Sequence, residues 1–164
     1  MSDTLEQSFV KQLKQNHNIV HKICRLYTTD SDAHNDLFQE ITIQLWKAFP
    51  KFRGESKFST WAYRVALNTA ITLYRKNKRS VSTVSYEAQQ HFFVQDEYNL
   101  EEEERIKLMY QAVQQLNDIE KALVFMYLED KDYTEIAETL GISEVNARVK
   151  MNRIKGKLIK ILNP

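Results

Sequence analysis

Three side chains that can bind zinc share one stripe of a predicted N-terminal helix: His17, His21 and Cys24. Imidazole and thiolate groups are common zinc ligands, but a closed site needs a fourth ligand and partners that orient the histidines. No such groups stand nearby in the sequence, and Cys24 continues the apolar stripe of Val20 and Ile23. We therefore expect Cys24 to lie in a core, and we expect neither a metal nor another cofactor.

Signatures of catalysis are also missing from the sequence. It contains no Gly-rich phosphate loop, no paired-carboxylate motif and no nucleophile motif. His34 and His91 stand without an evident partner. We therefore expect a protein that is not an enzyme and that has no small-molecule substrate.

The helix predicted to begin near Phe58 carries side chains suited to nucleic acid. Its apolar side has helical spacing and consists of Ala62, Ala66, Ala70 and Leu73. The other side places a tryptophan among cationic and polar residues: Trp61, Arg64, Asn68, Thr72, Arg75, Lys76 and Arg79. Cations can contact phosphates, an indole can stack on a base, and amides can reach base edges. The alternative is that Trp61 packs against another helix of the same module.

A helix-turn-helix is predicted over residues 133–155. Gly141 can adopt the positive φ that ends a helix sharply, and Ser143 can cap the next helix. The inner stripe of that second helix is Ala147, Met151, Ile154 and Leu158. Its outer face consists of Val145, Arg148, Val149, Asn152 and Arg153, flanked by the cations Lys150, Lys155 and Lys157. Such a face offers donors for base edges in its centre and cations for phosphates at its sides. Val149 would suit a thymine methyl group, whereas an ordinary helical hairpin with a solvated face is the alternative.

Another predicted helix has a charged face interrupted by one isoleucine. It is expected to start at a cap on Ser31 or Asp32 and to run to about Phe49. Its core face consists of Leu37, Phe38, Ile41, Leu45, Ala48 and Phe49, and its opposite face of Asp36, Gln39, Glu40, Ile43 and Lys47. An exposed Ile43 favours a partner-binding face, although single exposed apolar residues are common.

Composition predicts an all-α fold that positions these faces. The 164 residues include only three glycines and two prolines, which leaves few tight corners for a β-sandwich. The single cysteine allows no internal disulfide and suits a reducing compartment. The longest apolar run, Ala122–Leu128, is too short to cross a membrane, and the N-terminus lacks the pattern of a signal peptide. We therefore expect a cytoplasmic protein.

Charge divides the chain into three blocks although the net charge is only +1. Residues 1–80 carry 13 basic and 7 acidic side chains, residues 81–104 carry 7 acidic and no basic ones, and residues 105–164 carry 10 basic and 8 acidic ones. The acidic block keeps no helical apolar period for long and predicts a flexible linker. We expect two helical domains, 5–79 and 105–162, joined by an acidic linker at 80–104.

Both predicted domains resemble regions of one protein family in the family's order and spacing. Asp36–Glu40, Phe52–Asn68 and Arg75–Arg79 resemble region 2 of the extracytoplasmic-function (ECF) subfamily of bacterial sigma-70 factors. Leu116–Leu158, with its Tyr133–Ala137 and Gly141–Ser143 motifs, resembles region 4. The chain departs from region 2 where the basic tail ends, because Ser/Thr residues follow Arg79 at once.

The resemblance implies a partner and a role for each face. Such proteins bind core RNA polymerase and direct it to promoter DNA. Asp36, Gln39 and Glu40 would contact the polymerase clamp helices. This contact would explain why Ile43 is exposed, and Lys47 would belong to the same contact face. The Trp61 helix would engage and open the −10 element, with Asn68 near a flipped-out base. The outer face of the Arg148 helix would read the −35 element in the major groove, and the acidic linker would thread towards the RNA exit path. An anti-sigma factor is a further partner that the family implies.

Two other functions remain open at this point. A stand-alone helix-turn-helix regulator would use only residues 105–162 and would bind duplex DNA without polymerase. That function leaves Trp61 and Ile43 unexplained. A helical adaptor that does not bind DNA would tolerate charge reversal at Arg148 and Arg153.

Overall fold

The computed structural model describes residues 4–80 and 100–164, and all the regular structure in these two segments is helical. The helices are α1 (Leu5–Tyr27), α2 (Ser31–Ala48), α3 (Phe58–Ser80), α4 (Leu100–Val113), α5 (Asp118–Leu128), α6 (Tyr133–Leu140) and α7 (Glu144–Leu162), with a short 3-10 turn at Phe49–Lys51. They form two compact units, α1–α3 and α4–α7. None of the described helices combines the length and the apolar character needed to cross a membrane.

The first two helices begin at side-chain caps that satisfy otherwise unpaired backbone N–H groups. Thr4 and Gln7 form a reciprocal capping box, and α1 then continues unbroken for 23 residues. The cap of α2 is Asp30, whose carboxylate accepts from the backbone N–H of Ala33 at 2.8 Å. The expectation of a cap at Ser31 or Asp32 was therefore wrong, because both residues already lie inside the first turn.

The core of the first unit lies between α1, α2 and α3, each of which packs against the other two. Its fully buried members include Ile23, Ile41, Leu45 and Leu67. The predicted alanines of α3, at positions 62, 66 and 70, are also buried and let the helices approach closely. Phe38 was expected in this core but is only half-buried, and its ring stacks on that of His21 with 4.5 Å between the centres.

The second unit packs α7 against α4, α5 and α6. Its core is centred on α5, where six consecutive residues from Lys121 to Met126 are buried. The four glutamates Glu101–Glu104, which were assigned to the linker, lie instead in α4. Negative side chains in a first turn are stabilised by the positive end of the helix dipole. The remainder of the predicted linker, residues 81–99, falls outside the described residues.

The turn between α6 and α7 has the predicted helix-turn-helix geometry. Gly141 has φ 69° and ψ 34°, and its N–H donates to the carbonyl of Ala137. The hydroxyl of Ser143 accepts from the N–H of Asn146 at 3.1 Å and caps α7. The inner stripe of α7 is buried at Ala147, Met151 and Ile154 and half-buried at Leu158.

Candidate nucleic-acid and polymerase interfaces

The outer face of α7 is accessible over most of its predicted length. Arg148, Val149, Asn152 and Arg153 are exposed, while Lys150 is half-buried at the side. Val145 lies one turn before Val149 and is 72% exposed, so two apolar side chains follow one another on this face. A helix in the major groove needs such a mixture, because base pairs present both hydrogen-bonding edges and thymine methyl groups.

Contacts with other helices hold three cations of α7. The guanidinium of Arg148 donates to Glu144 at 2.8 Å and lies 5.2 Å from the ring centre of Tyr133. The ammonium of Lys155 lies 4.7 Å from the ring centre of Tyr127. On the opposite flank, Lys157 forms an ion pair of 2.5 Å with Glu120 of α5. The positions of these three cations therefore depend on contacts with α5 and α6 as well as on α7 itself.

The outer face of α3 is cationic and polar, as predicted. Arg64, Asn68, Thr72, Arg75 and Lys76 are exposed, and Arg79 lies near the end of the helix in a part whose side chains the structure does not describe. The hydroxyl of Thr72 donates to the carbonyl of Asn68 at 2.8 Å, so its proton is used within the helix. The hydroxyl oxygen of Thr72 can still accept a hydrogen bond from a nucleic-acid strand.

Trp61 combines the two arrangements that the sequence left open. Its ring centre lies 5.1 Å from that of Phe52, 5.3 Å from that of Phe58 and 6.1 Å from that of Phe49. The side chain is half-buried, so part of the indole remains accessible. Tilted aromatic contacts at these distances stabilise the orientation of a ring. The fold thus holds the accessible part of Trp61 beside the cations of α3.

The predicted partner face of α2 is exposed except at one position. Asp36, Gln39, Ile43 and Lys47 are exposed, and Glu40 is half-buried and accepts from the side chain of Gln44 at 3.0 Å. Ile43 is 45% exposed, and Trp46, which was not predicted as part of this face, is 41% exposed. Its position three residues after Ile43 was the available signal. Trp46 also contacts Phe9 of α1, with ring centres 5.1 Å apart, so two large apolar side chains share this face.

The histidines do not form the zinc stripe considered from the sequence. Cys24 is fully buried in the core, as expected, and burial raises its pKa to about 12, so the thiol stays protonated. The ring of His21 instead meets His34 of α2, with 2.9 Å between Nδ1 and Nε2, so His34 has a partner that the sequence did not reveal. Burial, and then neighbouring positive groups, lower the pKa of both histidines. Within the described residues, no group of three or more potential ligands could hold a metal ion.

The described residues form two helical units, the second of which contains a helix-turn-helix, a motif found in many DNA-binding proteins. Two family models match the chain: Sigma-70 region 2 over residues 13–80 and Sigma-70 region 4 over residues 106–158. The RNA polymerase sigma-H factor of Pseudomonas aeruginosa is 31% identical, in an alignment that covers 93% of this chain and 84% of that protein. The ECF RNA polymerase sigma-E factor of Haemophilus influenzae is 24% identical over 97% and 89% of the two chains.

A solved structure of a sigma factor is similar in fold. The sigma factor RpoE from Bartonella quintana, in complex with the anti-sigma factor NepR, matches with a TM-score of 0.72 at 15% identity, over 94% of this chain and 96% of that one. The chain belongs to the ECF subfamily of the sigma-70 family. It is an RNA polymerase sigma factor, a transcription initiation factor that binds DNA, and the stand-alone regulator is not favoured.

Proposed function

We propose that the outer face of α7 reads the −35 element of promoter DNA. The observation that supports this role is the accessible face of the second helix of a helix-turn-helix, with cations beside polar and apolar side chains. Its contact residues are Arg148, Val149, Lys150, Asn152 and Arg153. Asn152 and Val149 lie centrally and suit base edges and thymine methyl groups, while the cations at the sides suit phosphates.

The outer face of α3 engages the −10 element and helps to open it. Its contact residues are Trp61, Arg64, Asn68, Thr72, Arg75, Lys76 and Arg79. Unstacking a base step costs a few kcal/mol, and capture of an extruded base offsets part of that free energy. Trp61 supports this role because packing against three phenylalanines fixes its indole while part of the ring stays accessible. Stacking on such a ring is worth about 1–3 kcal/mol per base.

The charged face of α2 binds core RNA polymerase. Its contact residues are Asp36, Gln39, Glu40, Ile43 and Lys47. The exposure of Ile43 beside Trp46 supports this role, because a binding face needs apolar area that a partner can cover. By this assignment, residues 5–79 serve the polymerase and the −10 element, and residues 105–162 serve the −35 element.

Two weak DNA contacts suffice when the polymerase holds both units. The net charge of +1 gives the free chain little non-specific affinity for DNA, since that affinity scales with the number of phosphates neutralised. Attachment to one polymerase raises the effective concentration of the second unit at its element. The chain itself contributes recognition and strand capture, performs no bond chemistry, and works in the cytoplasm with the polymerase.

An anti-sigma factor regulates the chain by covering one of these faces. The support comes from the Bartonella quintana relative, whose structure is a complex with the anti-sigma factor NepR. The apolar pair Ile43 and Trp46 is a candidate for such a contact because a competitor of the polymerase would cover the same area.

Neutralising two cations on α7 tests the −35 assignment. In Arg148→Gln/Arg153→Gln, we expect initiation by the reconstituted holoenzyme to lose its dependence on the −35 sequence. The slope of log affinity against log salt for −35 duplex should fall by about 1.8, because each lost phosphate contact removes about 0.9. The double variant Arg105→Gln/Lys107→Gln removes two exposed cations from α4 of the same unit and is the matched control. An unchanged −35 dependence would refute the assignment.

Replacing Asn68 tests the −10 assignment with little disturbance of the core. Asn68 is exposed, whereas Trp61→Ala would also remove aromatic packing. We expect Asn68→Ala to reduce permanganate reactivity of unpaired thymines in the open complex, with duplex −35 binding preserved. Asn18→Ala, at an exposed position of α1, is the control. Equal permanganate reactivity in the two variants would contradict the role of Asn68. Tight binding of duplex DNA by the unsubstituted chain in the absence of polymerase would instead favour the stand-alone regulator.

A further inference from the structure

Two tyrosines from different helices lie beneath two cations of α7. Tyr127 is near the end of α5 and supports the Lys155 ammonium at 4.7 Å, and Tyr133 is the first residue of α6 and supports the Arg148 guanidinium at 5.2 Å. The two rings also contact each other, with centres 6.4 Å apart. Tyr127 and Tyr133 therefore form a continuous aromatic surface along one flank of α7, which we call the tyrosine shelf.

The two cations lie on the side of α7 that faces the shelf. Arg148 and Lys155 are seven residues apart, so they lie on the same side of α7 and about 10.5 Å apart along its axis. Both residues are exposed, and the side chain of Arg148 retains 60% of its accessible surface. The shelf thus restricts where the cations point without covering them.

Arg148 has a second restraint besides the shelf. Its guanidinium donates to Glu144 at 2.8 Å, and the other carboxylate oxygen of Glu144 accepts from the hydroxyl of Thr134 at 3.4 Å. Thr134 lies on α6, so the restraint crosses the helix-turn-helix. A guanidinium has five N–H donors, so one bond to Glu144 leaves donors for a phosphate.

We infer that Tyr127 and Tyr133 are positioning residues for the −35 contact, which hold Lys155 and Arg148 ready for phosphates along one edge of the major groove. The inference rests on the proposed function, because that assigns α7 to duplex DNA. Long cationic side chains lose much conformational freedom when they bind, and restriction before binding reduces this loss. Cation–aromatic contacts at exposed sites are strong enough for each tyrosine to affect DNA affinity by about 2- to 5-fold.

Conservative and non-conservative variants of the tyrosines separate the aromatic contact from simple packing. The assay is equilibrium binding of the reconstituted holoenzyme to a promoter whose −35 element has been selected from a random library. We expect Tyr127→Leu and Tyr133→Leu each to weaken −35-dependent binding by about 2- to 5-fold, whereas the Phe variants, which keep the rings, remain within about 2-fold. A Phe variant as weak as the Leu variant, or a Leu variant with unchanged or tighter binding, would overturn the inference.

A double-mutant cycle shows whether each tyrosine acts through its cation. If Tyr127 positions Lys155, Tyr127→Leu has no further effect in a Lys155→Met background, and Tyr133→Leu has none in an Arg148→Met background. An effect that persists in these backgrounds would show that the tyrosine is only structural and would refute the inference. Binding to a fork-junction probe that carries only the −10 element should stay unchanged in the Leu variants, which checks that the first unit is unaffected.

The single cation variants distinguish failure of this inference from failure of the proposed function. If Lys155→Met and Arg148→Met both bind −35 DNA as well as the unsubstituted chain, neither cation contacts DNA, and both the shelf and this part of the α7 assignment are wrong. If they weaken binding while the tyrosine variants do not, the α7 assignment stands and the shelf alone is wrong.

Discussion

The same substitution at two glycines of the second unit should change stability in opposite directions. Gly141 lies between α6 and α7, and Gly156 lies inside α7. A Cβ atom added at either position would meet nothing within 4 Å. Steric crowding from neighbouring residues is therefore the same at both sites, and the backbone conformation alone distinguishes them.

At Gly156 the backbone is helical, and alanine is favoured over glycine in a helix interior by about 1 kcal/mol. At Gly141 φ is +69°, where a Cβ atom approaches the following carbonyl oxygen and costs about 1–2 kcal/mol. We therefore expect Gly156→Ala to stabilise the second unit and Gly141→Ala to destabilise it. For a unit of this size, 1 kcal/mol corresponds to about 4–8 °C in Tm.

The assay is thermal unfolding of the full-length variants, followed by circular dichroism and calorimetry. If the two units unfold separately, only the transition of the second unit should move, upward for Gly156→Ala and downward for Gly141→Ala. A shift of both variants in the same direction would refute the assignment of the left-handed turn or of the helical interior. A gain at Gly141 would in particular contradict the helix-turn-helix geometry.

Three further predictions concern the first unit. Asp30→Ala should destabilise this unit by about 1 kcal/mol because the α2 cap is lost. Ser31→Ala and Asp32→Ala should each lower the free energy of unfolding by less, as measured by urea unfolding. A larger effect at Ser31 or Asp32 would contradict the assignment of Asp30 as the cap. Because the folded pKa of His21 and His34 lies below the ordinary value near 6.5, stability should be highest above pH 6.5 and fall as the pH drops below it. In urea unfolding, the free energy of unfolding should fall below pH 6.5 in the unsubstituted chain and fall less in His21→Gln/His34→Gln. Equal falls in the two proteins would show that these histidines are not the cause. Cys24 should react with a thiol reagent only after unfolding, because burial raises its pKa to about 12, and rapid labelling of the native chain would show that it is accessible.

Local signals predicted the helix-turn-helix well. The sharp helix stop and the following cap depend on Gly141 and Ser143 and on their immediate neighbours, so the sequence contains most of the information. The inner stripe of α7 follows from helical periodicity alone. The α2 cap was misplaced by one or two residues because Asp30, Ser31 and Asp32 are all good capping residues, and only backbone geometry distinguishes them.

Contacts between helices could not be predicted in the same way. His21 and His34 are thirteen residues apart and meet only because of the relative rotation of α1 and α2. Tyr127 and Lys155 are on different helices, so no spacing in the sequence indicates their contact. Trp61 illustrates a further difficulty, because periodicity offered either a packed or an exposed ring, and the loop residue Phe52 allows it to be both.

The most direct test of the central claim is transcription from genomic DNA by core RNA polymerase with and without this chain, followed by sequencing of the transcript 5′ ends. We expect a defined set of start sites that requires the chain and shares −35 and −10 elements. The set should lose its −35 dependence with Arg148→Gln/Arg153→Gln and keep it with Arg105→Gln/Lys107→Gln. Start sites that are the same with and without the chain, or that respond equally to both double variants, would contradict the account.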